Sequence, residues 1–149
     1  MATRSTAERI RDVQGRLEGE ANVWIATASA DGVPHLVPLS LAWIGECVIV
    51  ATPIDTLTAR HALERGHARA ALESTSDVVV VDGHVEIAAL EDADEAVVNA
   101  FVDRVGWDPR DERGSWSLLT LTPRRIQAWN SPAEIAGRTI MRAGSWLDE

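Results

Sequence analysis

The stretch DGVPHLVPLSLAW, residues 31–43, decides the fold class of this chain. Asp31-Gly32 is typical of the tight turn of a β-hairpin. After the turn, every second residue falls on the same face of an extended strand: His35, Val37, Leu39, Leu41 and Trp43. Pro38 has no backbone N–H to donate, so this strand is predicted to lie at a sheet edge or to bulge there.

Further strand patterns lie on both sides of this stretch. Residues 23–29 form the other arm of the hairpin, and the turn Gly45-Glu46 leads into a short apolar strand, 47–51, that is expected to be buried on both faces. The later candidates are 68–72, then 78–81 and 84–89, which form one long strand or a tight hairpin interrupted at Asp82-Gly83, and finally 117–122 and 125–129, joined around Pro123.

Helical patterns are fewer. Ser5 and Glu8 match a capping box that opens a helix ending near Gly19. Residues 56–65 predict a short helix stopped by Gly66, and 92–105 predict a third. The segment 133–149 is too apolar to be a free tail, so it is expected to dock on the body or on a partner. These patterns predict a mainly β (α+β) single domain, 1–149, with six or seven antiparallel strands in a barrel and two or three flanking helices.

Composition narrows the classes of function. The chain has 149 residues and a formal net charge of −9, a balance that disfavours binding to nucleic acid and to anionic membranes. There is no apolar run long enough to span a bilayer and no signal-type leader, and Cys47 is the single cysteine. We therefore expect a cytoplasmic protein. The chain has 14 arginines and no lysine, a bias typical of GC-rich genomes.

The usual catalytic motifs are missing from the sequence. It has no Gly-x-Ser-x-Gly elbow, no phosphate-binding loop and no dinucleotide fingerprint. Cys47 lies in an apolar strand, where a thiol usually serves packing. The four histidines do not fall at metal-ligand spacings, so no metal site and no catalytic residue are predicted.

Two features are unusual. Residues 60–69 contain five basic side chains and only one acidic side chain, that of Glu64. The basic residues, which we call the basic island, are Arg60, His61, Arg65, His67 and Arg69. It could bind an anion, helped by Thr56 and Thr58 at the start of the same helix, or it could be an ordinary solvated helix face.

The chain also holds six Trp against one Phe and no Tyr. Each Trp could simply pack in the core, but as a set they suit a flat heteroaromatic ligand or an interface.

The order of several segments resembles the pyridoxamine 5′-phosphate oxidase-like split barrels, a superfamily that includes FMN enzymes and actinobacterial enzymes that use coenzyme F420. The segments are WIATASADGVPHLVPLSLAW, VIVATP, TARHALERGHARAAL, DVVVVDGHVEIAAL and LLTLTPRRIQAW, and together they cover about residues 20–130. The most diagnostic part runs from Asp31 to Trp43. It is followed by the tripeptide Ala51-Thr52-Pro53 and, after five residues, by Ala59-Arg60.

The resemblance implies a homodimeric split barrel with two cofactor sites at the interface. By position, it places the cofactor ring along Pro38, Leu39, Ser40, Ala51 and Thr52, and the cofactor phosphate at Thr56, Thr58 and Arg60. Trp129 would come from the partner chain. Relatives often carry a Lys at the position of Thr58 and an Asn at that of His61, so one phosphate-binding charge is missing here.

The resemblance therefore implies an oxidoreductase that binds coenzyme F420 or FMN and transfers hydride to a small organic acceptor. An exchangeable cofactor such as F420 suits the missing charge better than tightly held FMN does. Two alternatives stay open: a carrier that binds F420 or FMN without turnover, and a split-barrel dimer without cofactor.

Overall fold

A computed structural model describes residues 3–148 and contains one continuous antiparallel sheet with three α-helices. The strands are β1 (Asn22–Ala28), β2 (Pro34–Ser40), β3 (Ala42–Ile44), β4 (Cys47–Pro53), β5 (His67–Ala71), β6 (Val78–Ala89), β7 (Trp116–Trp129), β8 (Thr139–Arg142) and β9 (Ser145–Trp146). The helices are α1 (Thr6–Gly19), α2 (Leu57–Arg65) and α3 (Glu95–Val105). The mainly β class and its flanking helices are confirmed.

The sheet curls into a split barrel. Its strand order is β2-β1-β5-β6-β7-β4-β3, and β8 and β9 extend it from β7. The strands β2 and β3 are therefore neighbours in sequence but lie at opposite ends of the ladder. The prediction of one strand through 35–43 is wrong at Leu41, which is buried and whose backbone N–H donates to Ala21 O at 2.9 Å. At this corner the chain leaves β1 and begins to pair with β4.

The two longest strands run through their apparent interruptions. The strand β6 is continuous, as one of the two alternatives predicted, and its register against β7 shifts between Asp82 and Gly83. The prediction of two strands joined around Pro123 is wrong, because β7 is also unbroken. Pro123 lies opposite Gly83 at the register shift, where the bulge leaves a place for a residue without an N–H.

The helix ends follow the capping signals. Ser5 Oγ accepts a hydrogen bond from Glu8 N at 3.1 Å, as the capping box predicts. Gly66 ends α2 in the left-handed conformation, with φ of 63°. The third helix starts later than predicted, because Leu90–Asp92 forms a 3₁₀ turn and Asp94 caps α3 instead. Within residues 3–148, no helix is long and apolar enough to cross a membrane.

Two apolar clusters hold the fold together. Val13 and Leu17 of α1 pack with the residues that fill the barrel interior. Phe101 of α3 packs on the outside, against Ile49 of β4 and its neighbours. Ile140 of β8 belongs to the interior cluster, so the apolar C-terminal segment docks on its own body, one of the two predicted options.

An ion pair fastens the N-terminal segment to the loop before β8. The guanidinium of Arg4 donates to the buried carboxylate of Glu134 through Nε at 3.0 Å and Nη2 at 2.8 Å. Glu134 also accepts from Asn130 N at 2.8 Å. The hydrogen bond from Arg4 holds the pKa of Glu134 at about 2, below its ordinary 4.5.

Candidate functional site

A cleft lies where β2 and β4 come together without pairing. Its volume is about 430 Å³, and its lining consists of Asn22, Pro38, Leu39, Ser40, Ala51, Thr52, Pro53, Trp107 and Trp116. None of these described lining residues carries a charge. The cleft can therefore enclose a flat apolar group and offer it hydroxyl and amide hydrogen bonds, but its walls supply no general acid or base.

Two tryptophans form the aromatic wall of this cleft. Gly106 ends α3 with φ of 82°, which turns the chain so that Trp107 leaves the helix towards β2. The rings of Trp107 and Trp116 meet edge to face, with centroids 5.5 Å apart. Behind them, Phe101 packs edge to face on Trp107 at 6.0 Å. The wall is thus anchored in the outer apolar cluster.

The indole of Trp107 also fixes a polar group of the cleft. Its Nε1 donates to Ser40 Oγ at 3.1 Å. Because that oxygen already accepts one hydrogen bond, the proton of the Ser40 hydroxyl remains available for an acceptor in the cleft. Ser40 is thereby set up as a donor to a bound group.

The turn from β4 into α2 is held by hydroxyls. Thr56 caps the helix, because its Oγ1 accepts from Ala59 N at 3.2 Å. The same hydroxyl donates to Pro53 O at 3.0 Å and lies 3.1 Å from Thr52 Oγ1. These bonds fix Thr52, a lining residue of the cleft, to the start of α2.

A family model described as pyridoxamine 5′-phosphate oxidase matches residues 10–130, which is most of the chain. The chain belongs to the pyridoxamine 5′-phosphate oxidase-like split-barrel family. No curated protein matches it.

Solved structures share the family's fold at low sequence identity. A heme-binding protein of Mycobacterium smegmatis superposes with a TM-score of 0.69 and 16% identity, over 97% of this chain and 60% of that one. General stress protein 26 of Bacillus anthracis superposes with a TM-score of 0.64 and 18% identity, over 79% of this chain and 91% of that one. An F420 reductase superposes with a TM-score of 0.61 and 18% identity, over 76% of this chain and 94% of that one. At these identities the likeness concerns the fold alone.

The predicted ring residues of this family member lie together. Pro38, Leu39 and Ser40 of β2 face Ala51 and Thr52 of β4 across the cleft. The strand β2 is at one end of the ladder and β4 is next to the other end, and the corner at Leu41 makes them neighbours. Their role in binding a cofactor stays a prediction.

The predicted phosphate residues are not brought together. Thr56 touches the cleft through Thr52, but Thr58 is 1% exposed and its side chain packs inside. Arg60 is exposed and lines a separate hollow with residues such as Ile54 and Leu63. In this family member, α2 therefore presents no cation to the cleft from these two positions.

Trp129 lies at the opposite end of β7 from Trp116. Arg138 stacks over its ring at 5.9 Å, in a cation–π contact. Within one chain it does not line the cleft, so any part in that site requires a second copy.

The sequence did not predict that two tryptophans, Trp107 and Trp116, line the cleft. From the sequence, neither Trp107 nor Trp116 is assigned to a site, and the six Trp are considered only as a set. The loop 106–115 between them has no periodicity that fixes its path. The only signal in the sequence was indirect: the chain has six Trp against one Phe and no Tyr, a set that suits a flat ligand or an interface. In the structure, none of the six Trp is buried in the described residues.

Proposed function

We propose that this protein is a homodimeric oxidoreductase that holds the ring of coenzyme F420 or FMN in the cleft between β2 and β4. The observation that carries the proposal is the cleft itself: an uncharged slot with an indole wall and one oriented hydroxyl. A tricyclic ring needs flat apolar surfaces with a few hydrogen bonds along its edge. Family membership supports the same assignment.

When bound, such a cofactor supplies hydride transfer to an electrophilic acceptor such as an activated alkene or a quinone. The chain's own residues would bind and orient the ring. The Ser40 hydroxyl would donate to an acceptor on the ring edge, Thr52 would hold the opposite edge, and the Trp107 indole would exclude water from one face. The proton that completes reduction of the acceptor would come from solvent, because none of the described lining residues has a titratable side chain.

The residues predicted to bind the cofactor phosphate favour weak binding of the cofactor. Thr58 replaces the Lys common in relatives and is buried, so one charge-assisted hydrogen bond is lost. Such a bond contributes roughly 1.5–3 kcal/mol, which corresponds to at least about tenfold in affinity. F420 acts as an exchangeable co-substrate and tolerates this loss better than tightly held FMN.

The homodimer is supported by an apolar patch on the outer face of the sheet next to the cleft. Trp24 of β1 is 40% exposed, and Leu36 of β2 is 59% exposed. Pro38 lies directly opposite Trp24 in the ladder, so the patch continues into the cleft. A second copy on this face would cover the patch and could bring its Trp129 to the ring.

Titration of the tryptophan fluorescence with F420 and, separately, with FMN tests the proposal. Saturable quenching is expected with F420 at lower concentration than with FMN, because Trp107 and Trp116 would contact the ring. Absence of saturable quenching with either cofactor would leave the split barrel without cofactor. Turnover of reduced F420 with a quinone then separates an enzyme from a carrier, which would bind the cofactor without oxidising it.

A further inference from the structure

A second opening lies between β1 and β5. These strands pair only from Trp24 to Ala26 on β1 with Arg69 to Ala71 on β5, and beyond Ala26 they separate. The gap is a cavity of about 370 Å³. It lies at the end of β1 away from the cleft, because Asn22 lines the cleft and Ala28 lines this opening.

Most of the basic island surrounds this opening. Arg65 from the end of α2 and His67 and Arg69 from β5 line it, and all three are exposed. The ring of His84 lies 6.4 Å from that of His67. Small side chains, Ala26 and Ala28, leave room between these basic groups. In a chain of net charge −9, this concentration of basic groups makes a local site for an anion.

Asp82 adds a carboxylate to the lining of this opening. It is 8% exposed, and its Oδ1 accepts from Arg69 Nε. Its Oδ2 is buried and has no hydrogen-bond partner among residues 3–148. A buried carboxylate oxygen without a donor is unfavourable, so this atom calls for a hydrogen-bond donor from outside the chain.

We propose that this opening binds a small phosphate monoester that carries a hydroxyl group close to its phosphate. The forked N–H groups of Arg65 and Arg69 suit the phosphate oxygens. The hydroxyl would donate to Asp82 Oδ2 and would hold the dianion away from the carboxylate. This site is separate from the cleft and does not depend on the proposed cofactor.

A titration of the full-length protein with sn-glycerol 3-phosphate, followed by amide NMR shifts, tests the site. Saturable shifts are expected at 26–28 and 65–69. Arg65→Gln should weaken the affinity about tenfold, since it removes one charge-assisted contact. Arg104→Gln, on the exposed side of α3, is the matched control and should leave the affinity unchanged. No saturable shift, or equal weakening by both variants, would overturn the proposal.

The hydroxyl is tested by comparing glycerol 3-phosphate with inorganic phosphate. The wild-type protein should prefer glycerol 3-phosphate, and Asp82→Asn should reduce that preference at least several-fold, because a neutral amide oxygen is the weaker acceptor. If inorganic phosphate binds as tightly as glycerol 3-phosphate, or if Asp82→Asn leaves the ratio unchanged, Asp82 has no part in recognition. Thermal melts of each variant report whether it is folded.

Discussion

The Trp107 indole and the Ser40 hydroxyl are joined by a hydrogen bond of 3.1 Å that connects the loop after α3 to the end of β2. Trp107→Phe keeps the aromatic wall but removes the donor, so the Ser40 hydroxyl loses its orientation. We expect cofactor affinity to fall several-fold, the loss typical of one neutral hydrogen bond. Isothermal titration calorimetry measures this without relying on the removed fluorophore.

Trp146→Phe is the control for that experiment, because the Trp146 indole donates to Glu46 Oε1 away from the cleft. Its affinity for the cofactor should equal that of the wild-type protein. An unchanged affinity in Trp107→Phe would mean that the Ser40 hydroxyl does not act on the ring.

The close approach of β6 and β7 at Gly83 predicts a strong effect of a single methyl group. A Cβ at this position would lie 2.0 Å from Thr122 O, a backbone atom that can move only with its strand. We expect Gly83→Ala to lower the free energy of unfolding by about 3 kcal/mol or more. Urea denaturation would measure the difference.

Gly15→Ala is the matched glycine control. Gly15 lies within α1 and has no atom within 4 Å of the position of an added Cβ. This variant should be more stable than wild type by about 0.5–1 kcal/mol, since alanine favours the helix. Equal destabilisation by both variants would contradict the close approach at Gly83.

The Arg4–Glu134 ion pair predicts acid sensitivity. The pKa of Glu134 is about 2 in the folded protein, below its ordinary value of 4.5, so the unfolded state takes up the proton first as the pH falls. The stabilisation is therefore complete above about pH 4.5 and is lost as the pH falls towards 2. It amounts to about 3 kcal/mol. Thermal melts across this range measure the loss.

Glu134→Gln should melt at lower temperature at pH 7 and show a shallower decline between pH 4.5 and 2. The comparison variant is Glu64→Gln, an exposed position on α2. It should follow the wild-type curve. A wild-type slope in Glu134→Gln would show that other carboxyl groups dominate the acid response.

The apolar patch predicts the position of the dimer interface. Leu36→Glu places a charge within the patch and should shift the protein towards monomer in light scattering at micromolar concentration. Leu63→Glu on α2 makes the same change at a residue that is 74% exposed and lies outside the patch, so it should leave the oligomeric state unchanged. A dimer broken by Leu63→Glu alone would place the interface on α2.

Local signals predicted those parts of the fold that local interactions determine. The hairpin at Asp31-Gly32, the strand β4 that is buried on both faces and the end of α2 at Gly66 depend on a few adjacent residues. The corner at Leu41 does not, because only pairing with β4 decides where the alternating pattern breaks. Likewise, Gly83 and Pro123 are each typical of a strand end, but placed opposite each other they form a bulge within continuous strands.

The candidate site likewise has parts that could be predicted from the sequence and parts that depend on tertiary contacts. The resemblance to the family grouped the residues of β2 and β4 that line the cleft, since these belong to regular strands that align by position. It could not show that Thr58 packs inside or that Arg60 lines another hollow, because helix rotation depends on packing against the barrel. The indole wall comes from a loop whose path is set by tertiary contacts.

The seam between β2 and β4 has a consequence for motion. The ladder pairs β2 with β1 and β4 with β3 and β7, so the edge of β2 that faces the cleft has no strand partner among the described residues. Separating the walls there breaks the Trp107–Ser40 bond and no ladder hydrogen bond. Such an opening requires far less free energy than global unfolding. If the proposed cofactor binds in this cleft, local opening would admit and release it, while the rest of the sheet would keep its protection from hydrogen exchange.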